Sequence, residues 1–300
     1  MRKFATFAAA ASLMFGGVAC AQSAQERESV VASAAQSAPA ESHWREVDPD
    51  DLVLIETVHG TTALELNISF APKHAKRFRQ MVRAGAYDGE YFYRVIDGFV
   101  AQAGLQDEDK ISEWPPLDNE NDRSLSLEPF TPLGNDDLFA QKVGHTGTGF
   151  AMARDTELAR EWLLHCPGAV AMARDNDPDS GGTEFYVALD AQRYLDRNLT
   201  VFARVIDGMQ YLQKLERGDR AIASGVIQAP NTGDEMISVR LGSDIAEADR
   251  PTYLVMRTRS DAFEAAKTAR RVRTADFFYR TPPAILDICD FDVPVRRVGN

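Results

Sequence analysis

Residues Tyr91 to Gly104 read Y-F-Y-R-V-I-D-G-F-V-A-Q-A-G. Asp97-Gly98 suits a tight hairpin turn, so the stretch predicts two short strands folded back on each other. Along them Arg94, Phe99 and Gln102 stand at alternating strand positions in an otherwise apolar run. A cation, a ring and an amide on one pleated surface point to a groove that handles peptide.

Upstream, Leu52 to Thr57 and Ala63 to Leu66 flank a turn at Gly60-Thr61 and read as a strand pair. After Pro72, Ala75, Phe78, Met81 and Val82 recur at helical spacing, while Lys73, Lys76, Arg77, Arg79 and Arg83 take the other face. Gly85 is a natural stop. Downstream, Leu105 to about Gly149 carries acidic and polar clusters, Trp114-Pro115-Pro116, Pro129 and Pro132, and reads as part of a long insertion. A short helix is expected around Leu158, Ala159, Trp162 and Leu163. Strands follow at Ala169–Arg174, Glu184–Leu189 and Leu199–Val205, then a helix over Gly208–Leu215 and a last strand at Ile237–Leu241. Phe150–Asp155 echoes Val170–Asp175, but the flanks do not match, and coincidence explains it better than a structural repeat. Few helices among many short strands predict a mainly β fold, a closed antiparallel barrel with flanking helices. In the extension from 243 to 300, Ser260 can cap a helix running to about Arg273, with Ala262, Phe263, Ala266 and Ala269 inward.

The chain has 300 residues, 44% of them hydrophobic, enough for a buried core. Arg2 and Lys3, an apolar run from Phe4 to Val18 and Ala19-Cys20-Ala21 have the parts of a secretory signal, with cleavage expected after Ala21. A lipid anchor on Cys20 is the competing reading. No other segment reaches the ~18 apolar residues of a membrane span. The formal charge of -12 argues against nucleic acid as a partner. Cleavage would leave Cys166 and Cys289, which could form a disulfide or remain two separate buried thiols. Residues 22–50, rich in Ala, Ser, Gln and Glu, are expected to be a disordered linker. The reading is thus a signal at 1–21, a linker at 22–50, a barrel domain at 51–242 interrupted at about 105–165, and an α/β extension at 243–300.

Four segments in order resemble the cyclophilin family of peptidyl-prolyl cis-trans isomerases: residues 92–104, C-P-G-A-V-A-M-A-R at 166–174, G-G-T-E-F-Y-V at 181–187, and Y-L-D-R-N-L-T-V-F-A-R-V-I-D-G-M at 194–209. The resemblance covers roughly 51–240. It places the catalytic arginine on Arg94 and a glutamine that bonds substrate backbone on Gln102. The proline pocket falls on Phe99, Val100 and Tyr186, with Leu199 at the far wall. Ala173 and Arg174 match an edge strand along which peptide lies, and Tyr194, beside Leu195, stands where many members carry Trp or Phe. No cofactor or metal is implied, and proline-containing polypeptides are the expected partners. Tyr93, Val100 and Leu199 depart from a common histidine, methionine and histidine. Glu184 replaces a glutamine and adds an anion near Arg94, with the potential to steer or compete for the guanidinium.

Rotation about an X-Pro bond faces a barrier of ~18–20 kcal/mol because of amide conjugation. Lowering it needs neither nucleophile nor metal. A guanidinium can hydrogen-bond the prolyl nitrogen once twisting has removed its conjugation. Asp179-Ser180-Gly181-Gly182 looks superficially like a serine-protease segment, but the plain reading is a polar turn. His145, His165 and Cys166 lack the paired spacing of zinc sites. The expected protein is an exported, periplasmic isomerase; the serious rival is a barrel that holds proline peptides as chaperone or scaffold without turnover.

Overall fold

A computed structural model describes residues 41–298. Eight antiparallel strands form the main sheet: Leu52–Thr57 (β1), Gly60–Leu66 (β2), Arg94–Val95 (β3), Val100–Gly104 (β4), Ala169–Met172 (β5), Glu184–Ala188 (β6), Val201–Asp207 (β7) and Ser238–Leu241 (β8). Their order is β8-β1-β2-β7-β5-β6-β4-β3. Pairing of Tyr91–Phe92 with Asp234–Glu235, just before β3 and β8, brings the two edges of the curled sheet together.

Period-two alternation sorts the side chains. Val53, Ile55, Leu64, Phe185, Val187 and Phe202 point inward, joined by Phe78 and Met81 of the helix Pro72–Arg83 (α1). Phe78 meets Tyr87, Phe185 and Phe202, each pair of rings with centroids 5.1 Å apart; such pairs add about 0.5–1.5 kcal/mol each beyond area burial. Leu52, Ala63, Val100, Ala171, Tyr186 and Val201 alternate to the outer face, where a second apolar cluster begins.

That second cluster belongs to a lobe built from distant parts of the chain. Residues 41–50 are not a linker: Trp44–Glu46 is a strand paired with Thr252–Met256, which also pairs with Val295–Val298. Trp44 finds its partner strand some two hundred residues away, where local composition gives no hint of it. Most of the insertion is likewise ordered, as a five-stranded sheet running 123–124, 160–163, 151–155, 142–146, 130–132. The helix expected around Leu158 to Leu163 is instead the hairpin Ala151–Asp155 and Arg160–Leu163, in which Trp162 opposes Ala153. Leu158 is exposed at its tip.

The helix Asp261–Arg271 (α2) starts where Ser260 accepts a hydrogen bond from the Phe263 N–H. It buries Phe263 and Lys267, while Ala269 faces solvent, a correction to the sequence pattern. Lys267 is admitted because its ammonium reaches Glu264 and the Pro132 carbonyl. At the junction between lobe and barrel, buried Glu65 lies between Arg45 at 2.6 Å and Arg204 at 2.8 Å. Cys166 and Cys289 are bonded to each other, tying the C-terminal extension to the loop before β5. Residues 1–40, where the signal, Cys20 and most of the expected linker fall, lie outside the described part. Among the described residues no helix is long and apolar enough to cross a membrane.

Candidate active site

Strand register assembles the site. Arg94 on β3 opposes Gln102 on β4, which opposes Tyr186 on β6, which opposes Ala171 on β5. Opposed residues share a face, so arginine, glutamine and tyrosine form one row across the outer surface. Phe99, Val100, Tyr186, Ala173 and Leu199 belong to the same apolar cluster beside that row. Tyr194 stands largely exposed at the rim, followed by half-buried Leu195. Arg174 donates to the Asn198 carbonyl, in the turn that leads to Leu199. Ala173 and Arg174 follow the last residue of β5, and the Ala173 N–H is taken by the Glu184 carbonyl.

Arg94 is held on two sides. Its Nε donates to the Ser224 carbonyl at 2.9 Å and a terminal nitrogen donates to Gln102 Oε1 at 3.0 Å. The guanidinium carbon lies 5.6 Å from the Phe99 ring centroid. Ser224 reaches it from a loop in which Ala223, Ser224 and Gly225 all have positive φ, an unfavourable backbone run that places one carbonyl against the arginine.

Glu184 is partnered away from Arg94. One carboxylate oxygen accepts from the Tyr93 hydroxyl at 2.7 Å and Gln102 Nε2 at 3.0 Å, and the other from Gln106 at 2.9 Å. The carboxylate therefore neither pairs with nor competes for the guanidinium, contrary to the concern raised by its sequence position. Gln102 Nε2 also donates to the Tyr93 oxygen, so both hydrogens of its amide are engaged while its oxygen faces Arg94. Burial, reinforced by the neighbouring Glu184, pushes the Tyr93 hydroxyl up, which keeps it a donor. Close approach permits this: a Cβ on Gly104, whose φ is +138°, would lie 2.6 Å from the Glu184 Cα.

The family model described as cyclophilin type peptidyl-prolyl cis-trans isomerase/CLD matches residues 52–239. This chain belongs to that family. Its activity is therefore that of a peptidyl-prolyl isomerase, catalysed rotation about X-Pro bonds. A probable peptidyl-prolyl cis-trans isomerase of Brucella suis is 30% identical over 199 residues, 66% of this chain and 85% of that protein. The chicken peptidyl-prolyl cis-trans isomerase-like 3 is 27% identical over 55% of this chain and 81% of its own. The crystal structure of cyclophilin AquaCyp293 from Hirschia baltica aligns with a TM-score of 0.71 at 30% identity, covering 87% of this chain and 98% of that one. That coverage reaches well past 52–239 and so takes in parts of the second lobe.

Three contributors to this cyclophilin site were missed in the sequence. Tyr93 stood out only as a departure, Gln106 was assigned to the insertion, and Ser224 acts through its carbonyl, which no residue type advertises. The residues of the rival readings have other work. Ser180 donates to the Asp177 carbonyl within its turn, His145 sits edge-on to Phe263 and Phe291, and Cys166 is in the disulfide. Among the described residues no group of three or more metal-binding side chains is gathered.

Proposed function

We propose that this cyclophilin accelerates X-Pro rotation in exported, proline-containing polypeptides by an arginine-assisted route without covalent chemistry. The observation that carries the mechanism is the fixed guanidinium of Arg94 beside Phe99. A proline ring seated among Phe99, Val100, Tyr186 and Leu199 would present its nitrogen to Arg94. As the peptide bond twists, the nitrogen lone pair is freed from conjugation and accepts a hydrogen bond from the permanently charged group. Gln102 and Ser224 preorganise the guanidinium, so little reorganisation accompanies the twist. Since both hydrogens of the Gln102 amide are engaged, we assign this residue mainly to orienting Arg94 rather than to binding substrate backbone. Tyr194, Leu195, Ala173 and Arg174 would flank the residues around the proline.

Arg94→Ala is expected to lower kcat/KM for a proline peptide by about 10²–10³-fold, with unchanged circular dichroism. Full turnover in the variant would overturn the mechanism. Peptide binding without turnover in the wild type would leave the holding module as the function. Export to the periplasm is supported by the N-terminal pattern and by the Cys166–Cys289 disulfide, a bond suited to oxidising compartments. The mature chain should begin at Gln22 by intact-mass measurement, and a chain retaining residues 1–21 would count against it.

A further inference from the structure

His165 takes no part in the chemistry above, yet it is fully buried directly behind the proline pocket. We propose that a buried chain of polar groups, Asp137–Arg193–Asp196–His165–Tyr186, sets the shape of that pocket from the insertion, with Asp137 and Arg193 as positioning residues of the isomerase. The proposal rests on the isomerase reading of the groove and extends it to how the pocket is held.

The contacts are continuous. Asp137 receives both terminal nitrogens of Arg193 at 3.0 Å, a two-pronged pairing. Arg193 Nε donates to Asp196 at 2.6 Å. The other oxygen of Asp196 accepts from the His165 backbone N–H at 2.9 Å and lies 3.2 Å from its Nδ1. With Nδ1–H held by a carboxylate, Nε2 is left as acceptor for the Tyr186 hydroxyl, 2.9 Å away. Burial pushes that hydroxyl up, so it keeps its proton. The charged side chains of Arg193, Asp137 and Asp196 are at most 8% exposed. Groups so deeply buried cost desolvation, which good geometry must offset, so each holds its neighbour to a narrow set of positions.

Three walls of the pocket hang on this chain. Tyr186 is its end. Tyr194 and Leu195 lie between Arg193 and Asp196, in the turn those two side chains staple. Gln192, also buried, donates its backbone N–H to the His165 carbonyl and its side chain to the Gly98 carbonyl, next to Phe99. Asp137 is the only member contributed by the middle of the insertion. Its Oδ1 also accepts from the Phe139 and Ala140 N–H groups, so it shapes its own turn while gripping Arg193.

Asp137→Asn is the informative variant. An asparagine oxygen still accepts from Phe139 and Ala140, so the turn survives while the charged fork to Arg193 is broken. In the full chain, KM for an X-Pro peptide should rise about three- to tenfold with kcat changed by less than about twofold. In a Tyr186→Phe background, which cuts only the branch through His165, the same substitution should raise KM by less than it does in the wild type, the remainder passing through the Tyr194–Leu195 turn. The His165 ring ¹⁵N resonances should move in Asp137→Asn. An unchanged KM, an equal KM effect in both backgrounds, or a parallel fall of kcat and melting temperature would overturn the proposal. Failure of the isomerase reading would show separately as peptide binding without turnover in the wild type. The same variants titrated for binding of the peptide would then judge the chain by Kd alone.

Discussion

The pentapeptide Ala-Met-Ala-Arg-Asp occurs twice, at 151–155 and 171–175, and the two copies end up in different sheets with opposite duties. In the first, the strand runs through all five residues, and Arg154 is drawn onto Glu161 of the neighbouring strand at 2.8 Å and over the Phe130 ring. In the second, the strand stops at Met172, which packs inside the barrel, and Arg174 turns out to carbonyls of the loop. Identical residues were spent on structure in one place and on the margin of a groove in the other. The partner strand makes the difference: only the first copy faces a buried carboxylate. This also argues for coincidence over repeat, since the two copies share neither partners nor flanks.

Removing that carboxylate should have the larger effect. Glu161 is 0% exposed and accepts from Arg123, Arg154 and Ser126. Glu161→Gln strands positive charge that keeps partial access to water, and should cost about 2–4 kcal/mol of stability, somewhat under the ~3–5 kcal/mol of a fully buried broken pair. Burial raises the Glu161 carboxyl, but the hydrogen bonds of Ser126 and Arg123 and the charges of Arg123 and Arg154 bring it below its ordinary 4.5 on balance. A carboxyl depressed in the folded state contributes stability that is present above pH 4.5 and lost as pH falls through its folded value. Calorimetry should therefore find the wild type losing more stability than Glu161→Gln on acidification below pH 4.5. An unchanged melting temperature together with lost isomerisation would break the division of duties.

The same contrast explains what was legible. The barrel strands announce themselves by period-two alternation, and Arg94, Phe99 and Gln102 lie in one hairpin, so their proximity is local. The lobe is different. Its strands are two to five residues long and pair across the insertion and both ends of the described residues. Trp162 falls four residues after Leu158 and Leu163 four after Ala159, spacings that a helix would also produce, and only the pairing of Trp162 with Ala153 separates the two. Within the site, Tyr93 and Glu184 each looked like a loss when read singly. They are partners across some ninety residues, and their bond appears only when β6 is laid beside β4.

Arg174→Ala is the smallest expected change and the one that sharpens the contrast most. Nε and one terminal nitrogen of Arg174 donate to the Asn198 carbonyl at 3.1 and 2.8 Å, and the other reaches the Asp175 carbonyl at 2.6 Å. These acceptors lie on exposed loops where water can replace the guanidinium, so stability should move by less than about 1 kcal/mol. The turn before Leu199 loses a tie, which should raise KM for a proline peptide by at most about threefold without altering kcat. A rise above about tenfold would mean that Arg174 touches the peptide itself. The second pentapeptide would then be part of the binding surface, and its arginine would owe its position to substrate in the way that Arg154 owes its own to Glu161.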